Sequence, residues 1–231
     1  MSAAPPSSTA DWATRRVTAR TRHVRRVWWR VVHGSAVSLW CRPLQVHGLT
    51  PSIQRRLRHG PPLLVAANHA SHADTAVLSL LLGRPARGRL VPAAAEDHFF
   101  SPRWLGWVVA VLVGALPFPR SGTVGLARCR QALADGEHVL LFPQGTRGGG
   151  RFQRGIGLLA SEGIEVLPVH LAGTGGVLPK GSRWPRRAAV TVRIGPPLDL
   201  RGSGAALATT AIERAVLDLV PSATPHARSA A

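Results

Sequence analysis

Short apolar runs alternate with longer amphipathic segments along most of the chain. Each run is bounded by glycine, proline or polar residues, which is typical of a buried strand. The runs that we predict as strands are Val46–Leu49, Leu63–Ala67, Arg89–Ala94, His138–Phe142, Val166–His170 and Ala189–Ile194. The segments that we predict as helices are Ala76–Leu82, Gly122–Asp135, Phe152–Ser161 and Leu207–Leu219. Strands alternating with helices predict one α/β domain over residues 45–220, with a mixed, mostly parallel sheet flanked by helices.

The two ends of the chain differ in composition from this domain. Residues 1–14 are rich in Ala, Pro, Ser and Thr and lack the apolar core of a signal peptide, so we predict disorder there and in the tail 221–231. Residues 15–44 combine arginines with tryptophans. This composition favours a basic helical segment that lies in a membrane interface, and a surface helix packed on the domain is the alternative.

A second apolar stretch, Trp104 to Pro119, carries no charged residue. It is broken by glycine and proline and falls short of the roughly 20 residues that a membrane-spanning helix needs. We predict that it belongs to the core, to a surface that dips into a bilayer, or to both.

The charge narrows the class of partner. The chain has 29 Lys+Arg against 11 Asp+Glu, a formal net charge of +18, which favours binding to nucleic acid or to an anionic membrane. Five of the seven tryptophans lie in or beside apolar stretches: Trp28, Trp29, Trp40, Trp104 and Trp107. That placement favours the membrane interface, and we expect no nucleic-acid partner. The two cysteines predict neither a disulfide framework nor a metal site and fit a reducing compartment.

The first candidate for chemistry is the turn that follows Leu63–Ala67. Asn68 and His69 come directly after this run, and Asp74 follows five positions after the histidine. On one continuous helix His69 and Asp74 would lie about 140° apart. If the histidine lies in the turn and the aspartate in the first helical turn, the two side chains can pair, which would orient the imidazole as a general base. A capping or solvated histidine is the alternative interpretation.

Two further predicted strand ends carry arginine beside glycine. One is Pro119-Arg120-Ser121-Gly122 and the other is Pro143-Gln144-Gly145-Thr146-Arg147. Backbone N–H groups beside glycine can surround an anion, and a guanidinium group binds phosphate through two parallel hydrogen bonds. Neighbouring strand ends share one crevice in such a sheet. We therefore predict an anion site close to His69, with a solvated arginine as the alternative at either position.

Four sequence blocks in register, and one further short segment, resemble the glycerolipid acyltransferases, the lysophosphatidic acid acyltransferase family. Asn68 to Asp74 resembles the family's His-x4-Asp motif, and Phe142 to Arg147 is similar to its Phe-Pro-Glu-Gly-Thr-Arg block. Gly114 to Arg120 and Leu167-Pro168-Val169 lie where two other blocks are expected, and Phe152 to Gly155 resembles the family's Phe-Lys-x-Gly segment. Two positions depart from the pattern. Gln144 replaces the usual glutamate, and Pro119 stands where an acidic residue is common.

The resemblance implies roles for individual residues. His69 would be the general base, oriented by Asp74. The residues implied for binding the acceptor's phosphate are Arg120, Gly145, Thr146 and Arg147. The candidates for orienting the acceptor are Asn68, Gln144 and Arg154. His72, inside the first motif, is predicted to be a helix-face residue.

The function implied by the resemblance is direct acyl transfer from acyl-CoA or acyl carrier protein to the hydroxyl of a lysophospholipid. The simplest acceptor is 1-acylglycerol-3-phosphate, which would yield phosphatidic acid, without a cofactor or a metal. We expect a peripheral or monotopic enzyme on the cytoplasmic face of the cell membrane. Gln144 leaves open another lysolipid or an amino-acid lipid as acceptor. The remaining alternatives are a basic membrane- or nucleic-acid-binding protein without catalysis and a disabled acyltransferase.

Overall fold

The computed structural model describes residues 22–95, 113–118, 123–146, 149–179, 181–182 and 184–221. The predicted disordered ends, except Pro221, lie outside the described residues, as does most of the apolar stretch Trp104 to Pro119. Within the described ranges no helix is long and apolar enough to cross a membrane.

The centre of the molecule is a single sheet of seven strands. They are β1 (Cys41–His47), β2 (Leu64–Ala67), β3 (Leu90–Ala95), β4 (Leu116–Phe118), β5 (His138–Leu141), β6 (Val166–Ala172) and β7 (Ala188–Ile194). Their spatial order is β1-β7-β6-β2-β5-β3-β4. The five strands from β6 to β4 are parallel, whereas β7 is antiparallel to β6 and parallel to β1. The predicted mixed, mostly parallel sheet is therefore present.

Helices cover both faces of this sheet. The helices are α1 (Arg22–Trp28), α2 (Gly34–Trp40), α3 (Pro51–His59), α4 (Ala73–Gly83), α5 (Val124–Ala134), α6 (Arg154–Ser161), α7 (Thr174–Val177) and α8 (Ala205–Leu217). One apolar core joins a face of the sheet to α3, α4 and the N-terminal helices, and a second core joins the other face to α5, α6 and α8. Strands β2 and β5 are buried on both sides, and apart from His138 at the start of β5 their sequences are continuously apolar rather than alternating.

The N-terminal helical segment packs on the domain with one side. Helix α1, a π-helical stretch (Trp29–His33) and α2 follow one another without a gap in sequence. Trp29 is buried against Gly83 at the end of α4, where an added Cβ would lie 2.3 Å from the indole ring. The opposite side exposes Val24, Val27 and Val31. The segment thus has an inner side that belongs to the core, and its role at a membrane stays a prediction.

Strand β1 differs from its predicted position at Val46–Leu49. It begins at Cys41, inside the stretch predicted as helical, and ends at His47. Most of its residues are exposed because it lies at the edge of the sheet, with β7 as its neighbour. An edge strand needs no apolar pattern and tolerates Pro43, whose missing N–H costs no ladder hydrogen bond at a free edge. The apolar pattern therefore gave no signal for its start.

Candidate active site

His69 and Asp74 meet at the carboxyl end of β2. The strand ends at Ala67, the chain turns through residues 68–72, and α4 begins at Ala73, so Asp74 lies in the first turn of that helix. His69 Nδ1 lies 2.8 Å from Asp74 Oδ2. The aspartate is fully buried, whereas the histidine side chain keeps 15% of its surface exposed. The pairing that the sequence predicted across a turn and a helix start is therefore present.

The hydrogen bonds of Asp74 fix the tautomer of the histidine. The backbone N–H groups of Ala70 and Ser71 each donate to Asp74 Oδ2 at 2.8 Å. The carboxylate oxygen is an acceptor, so Nδ1 of His69 carries the proton that completes the third bond. In the neutral imidazole the lone pair is then on Nε2. The ring is oriented as a base through Nε2.

Asn68 attaches the turn to the neighbouring strand β6. Its Nδ2 donates to the carbonyl of Leu171 at 2.8 Å, and its Oδ1 accepts from the N–H of Leu171 at 2.7 Å. This pair of bonds joins the residue before the histidine to the end of β6. Asn68 acts on the backbone of the turn, and its predicted role in orienting an acceptor stays a prediction.

Gln144 and Phe142 support His69 from the other side, where β5 is the neighbouring strand. Gln144 Oε1 accepts the backbone N–H of His69 at 2.8 Å, and its Nε2 donates to the carbonyl of Gly150 at 3.3 Å. The ring of Phe142 stacks on the imidazole, with centroids 4.2 Å apart and planes inclined by 23°. The segment after β5 thus holds both the backbone and the ring of His69.

Gly145 and Thr146 follow Gln144 and are exposed. Gly145 adopts φ +69°, a left-handed conformation that favours glycine, and an added Cβ would lie 2.6 Å from the end of the flexible Gln153 side chain. The Gly145 N–H closes this turn by donating to the carbonyl of Phe142 at 3.0 Å. Arg154 is exposed at the first position of α6.

The two predicted phosphate-binding arginines, Arg120 and Arg147, lie outside the described residues. Strand β4, which precedes Arg120, is separated from β5 by β3, so the three predicted strand ends are not immediate neighbours. The ends of β2 and β5 are adjacent. The predicted anion site therefore has Gly145 and Thr146 on the same edge as His69, and its arginines stay a prediction.

His72 and Ser71 complete the turn. The His72 ring is 6.4 Å from the His69 ring. His72 occupies the N-cap position immediately before α4, and not a position on a face of the helix. Ser71 Oγ donates to the carbonyl of Leu178 at 2.9 Å. Sequence reasoning missed this link and the one from Gln144 to His69, since both partners lie far away in the chain.

Together, the parallel core of the sheet and the pair at the end of β2 define an α/β protein with a histidine–carboxylate pair at the carboxyl edge of its sheet. A sequence model of the Acyltransferase family matches residues 44–172, which is more than half of the chain. The chain belongs to this family, and the resemblance seen in the motifs is confirmed.

Curated relatives carry more specific names. The chain is 32% identical over 130 residues to the 1-acyl-sn-glycerol-3-phosphate acyltransferase LPAT1, chloroplastic, of Arabidopsis thaliana, and the match covers 52% of this chain and 35% of that protein. It is 31% identical over 130 residues to the corresponding enzyme BAT2, chloroplastic, of Brassica napus, covering 52% and 36%. The matched region thus spans little more than a third of these relatives.

A solved structure shares the fold. The crystal structure of the 1-acyl-sn-glycerophosphate (LPA) acyltransferase PlsC from Thermotoga maritima superposes with a TM-score of 0.61 and 20% sequence identity. The superposition covers 88% of this chain and 81% of that chain. At this identity the likeness concerns the fold, and it confirms the predicted α/β class.

Proposed function

We propose that the protein transfers a fatty acyl group from a thioester to the free hydroxyl of a lysophospholipid. The observation that carries the proposal is the His69–Asp74 pair, held at 2.8 Å in a turn at the carboxyl edge of the sheet. A carboxylate-oriented imidazole with an open Nε2 is suited to take a proton from a hydroxyl group. Membership of the acyltransferase family supports acyl transfer as the reaction in which this proton is taken.

The reaction that we propose has one chemical step. His69 Nε2 takes the proton of the acceptor hydroxyl as its oxygen attacks the carbonyl carbon of the thioester. The new C–O ester bond forms, the C–S bond breaks, and the leaving thiolate receives the proton from the imidazolium. Asp74 stabilises the imidazolium while it exists. General-base catalysis of this kind contributes about 10²–10⁴-fold, so most of the remaining acceleration comes from holding the two substrates together.

The acceptor that we propose is 1-acylglycerol-3-phosphate, with phosphatidic acid as the product. The names of the Arabidopsis and Brassica relatives support this choice, as does the exposed Gly145-Thr146 turn beside His69. Arg120 and Arg147 are the proposed partners of the acceptor's phosphate. The acyl donor that we propose is acyl-CoA or acyl carrier protein, so the reaction needs no cofactor or metal.

The proposed location is the cytoplasmic face of the cell membrane, where the enzyme is peripheral or monotopic. The exposed valines of the N-terminal helices support it, because they alternate with arginines on the side that faces away from the core. Such a side matches the apolar and anionic layers of a membrane interface. The net charge of +18 strengthens attraction to an anionic leaflet.

The test is release of coenzyme or carrier thiol by the full chain with a panel of acceptors. The panel contains 1-acylglycerol-3-phosphate, lysolipids with other headgroups and an amino-acid lipid, each offered with both donor types. We expect thiol release only when an acceptor is present, with the phosphate headgroup fastest and His69→Ala as the inactive control. A panel without acceptor-dependent release would refute the enzyme assignment. Preference for another headgroup would refute the phosphate acceptor alone.

A further inference from the structure

Trp184 is the most exposed large apolar side chain among the described residues. Its side chain is 81% exposed, although an indole ring normally gains free energy by leaving water. The three other tryptophans in the described ranges, Trp28, Trp29 and Trp40, are at least partly buried. The interior packing of the domain therefore gives no reason for the position of Trp184.

The segment that carries Trp184 lies on the same edge of the sheet as His69. It runs from the end of β6 at Ala172 to the start of β7 at Ala188. Because β6 is parallel to β2, both strands end at the edge where the His69 turn begins. The contact between Ser71 Oγ and the Leu178 carbonyl joins the two segments directly. Trp184 thus belongs to the rim of the candidate active site.

Local hydrogen bonds hold the backbone around the exposed indole. Ser182 Oγ donates to the carbonyl of Trp184 at 2.9 Å, and the N–H of Arg186 donates to the carbonyl of Val177 at 2.8 Å. These bonds order the backbone on both sides of Trp184 while its side chain stays exposed. A backbone that is already ordered loses less conformational entropy when the segment binds a surface.

The charges beside Trp184 are positive. Arg186 and Arg187 are both exposed, and the sequence from Leu178 to Ala189 contains no aspartate or glutamate. Two more cations of this stretch, Lys180 and Arg183, lie outside the described residues. An aromatic ring with an apolar body and a polar N–H, flanked by arginines, matches the headgroup layer of an anionic bilayer. Nucleic acid fits less well, because one indole provides no platform for successive bases.

The N-terminal segment reaches the same edge at the outer strand β1, which is the neighbour of β7. Strand β1 starts at Cys41, opposite Ala188 of β7, so Trp40 at the end of α2 lies close to the end of the Trp184 segment. The predicted membrane segment and the Trp184 segment therefore meet at the carboxyl edge of the sheet. A membrane at this edge would lie beside the rim that receives the acceptor.

We propose that Trp184, Arg186 and Arg187 form a second membrane-docking surface, the rim anchor, which binds anionic phospholipid next to the active site. The binding itself is independent of turnover, and only its purpose, delivery of a membrane-embedded acceptor to His69, rests on the proposed function. The rim anchor orients the carboxyl edge of the sheet toward the bilayer. The N-terminal helices alone would attach the protein along one face.

The test is sedimentation of the full chain with vesicles of phosphatidylcholine, with and without phosphatidylglycerol. Trp184→Ala should weaken partitioning onto the anionic vesicles on the order of tenfold, because the ring returns to water. Arg186→Gln combined with Arg187→Gln should weaken it by about fivefold per cation. On pure phosphatidylcholine the double arginine variant should bind like the wild-type protein, and Trp184→Ala should lose only the contribution of the indole.

Matched controls lie at the opposite edge of the sheet or on a distant helix. Arg55→Gln combined with Arg58→Gln removes the same charge from the exposed side of α3, which joins the end of β1 to the start of β2. Leu207→Ala removes an exposed apolar side chain from α8. Both controls should bind anionic vesicles within about twofold of wild type. Equal losses in the controls would overturn the rim anchor in favour of attraction by net charge.

A spectroscopic measurement follows the indole itself. The emission of Trp184 is the difference between the wild-type protein and Trp184→Phe, and brominated lipids should quench that difference once vesicles are added. An unquenched difference would overturn the proposal. The proposal would also be overturned if the Trp184 and Arg186/Arg187 variants bound vesicles like the wild-type protein and instead lost binding to nucleic acid or the ability to self-associate. Because no turnover is measured, an inactive protein still tests the rim anchor.

Discussion

At the carboxyl edge of the sheet, Asp74 accepts three hydrogen bonds on one oxygen, and one of the three donors is His69. At the amino edge, Glu137 accepts from Arg22 Nε at 2.9 Å, and the guanidinium of the buried Arg25 lies 3.6 Å from the same oxygen. Both carboxylates are buried. Only the first is joined to a histidine, whose imidazole can act as a general base.

Each edge also has a histidine, and the two differ in their nitrogens. His138, at the start of β5, accepts the N–H of Leu63 on Nδ1 at 3.0 Å and donates from Nε2 to the carbonyl of Leu57 at 2.8 Å. Burial is the main cause that lowers the pKa of His138 to about 4, and the nearby Arg89 acts in the same direction, whereas the hydrogen bond to the Leu57 carbonyl acts against it. His69 has one nitrogen bonded to Asp74, and none of the described residues forms a hydrogen bond with the other.

The difference shows how, in this fold, a polar cluster that joins strands differs from one that suits the proposed proton transfer. At the amino edge the backbone occupies both imidazole nitrogens, so the ring joins β5 to its neighbours and stays neutral. At the carboxyl edge the neighbours hold the backbone, ring face and Nδ1 of His69. A histidine is suited to act as a base when its backbone, its ring face and one ring nitrogen have partners and the other nitrogen is free to accept a proton.

The largest expected effect comes from exchanging each carboxylate for its amide. Asp74→Asn can keep an acceptor oxygen for the Ala70 and Ser71 N–H groups, because these can only donate. It removes the charge that stabilises the imidazolium, so the rate of acyl transfer should fall by at least about 10²-fold. Glu137→Gln should instead lower the free energy of unfolding, by up to about 3–5 kcal/mol, since it removes the negative charge beside the buried Arg25 and the partly exposed Arg22.

The readouts are thiol release and urea unfolding, measured on both variants. We expect Asp74→Asn to be folded and to release thiol slowly. Glu137→Gln should have a lower free energy of unfolding, while each folded molecule releases thiol at the wild-type rate. A fast Asp74→Asn would break the assignment of the carboxyl edge as the chemical one.

The second effect is the loss of stability in acid. His138 has a folded-state pKa of about 4, below the usual value near 6.5. As pH falls below about 6.5 the unfolded chain takes up a proton that the folded chain refuses, so stability is complete above that pH and declines down to about 4. The shift corresponds to about 3 kcal/mol from His138 alone. His33 adds to the decline, because burial lowers its pKa to about 4 as well.

Urea unfolding between pH 7.5 and 4.5 measures this decline. His138→Gln should flatten the pH dependence while lowering stability at neutral pH. The matched control is His59→Gln, which removes an exposed histidine of α3 and should retain the wild-type slope. An unchanged slope in His138→Gln would show that other groups govern acid unfolding.

The smallest effect concerns the clamp on the His69 backbone. Gln144→Ala removes one hydrogen bond to the His69 N–H, which is worth about 1 kcal/mol, so kcat should fall by about fivefold. Gln144→Glu keeps an acceptor oxygen and should restore much of the rate, although it loses the bond to the Gly150 carbonyl. Steady-state kinetics of both variants, with the exposed Gln131→Ala as the control, would test the clamp. If Gln144→Ala and Gln131→Ala have the same kcat, the hydrogen bond from the His69 N–H to Gln144 does not contribute to the rate.

Much of the sheet could be predicted from the sequence because its central strands are buried on both faces. The run that forms β2 is apolar at every position, β5 is apolar after His138, and turn residues bound both runs. The pairing of His69 with Asp74 was also predictable, since it needs only a turn followed by a helix start. Strand β1 was misplaced because an exposed edge strand has no such pattern.

The supports of the site could not be predicted for a different reason. Asn68 bonds to Leu171 and the His69 N–H bonds to Gln144, over separations of 103 and 75 residues. These contacts depend on which strands flank β2 and on their register, which local periodicity does not specify. The side chain of Gln144 is bonded to the His69 turn, and its predicted role in orienting the acceptor stays a prediction.

The position of β2 has a consequence for the order of synthesis. Its two neighbours in the sheet are β5 and β6, and both come after it in the chain. A ribosome that has just released Leu64–Ala67 has therefore produced an apolar strand with no partner, and the first partner begins at His138. The turn with His69 acquires its second clamp only once Leu171 has emerged. The His69 turn is thus translated early and completed late, which exposes β2 to chaperones or to aggregation in the interval.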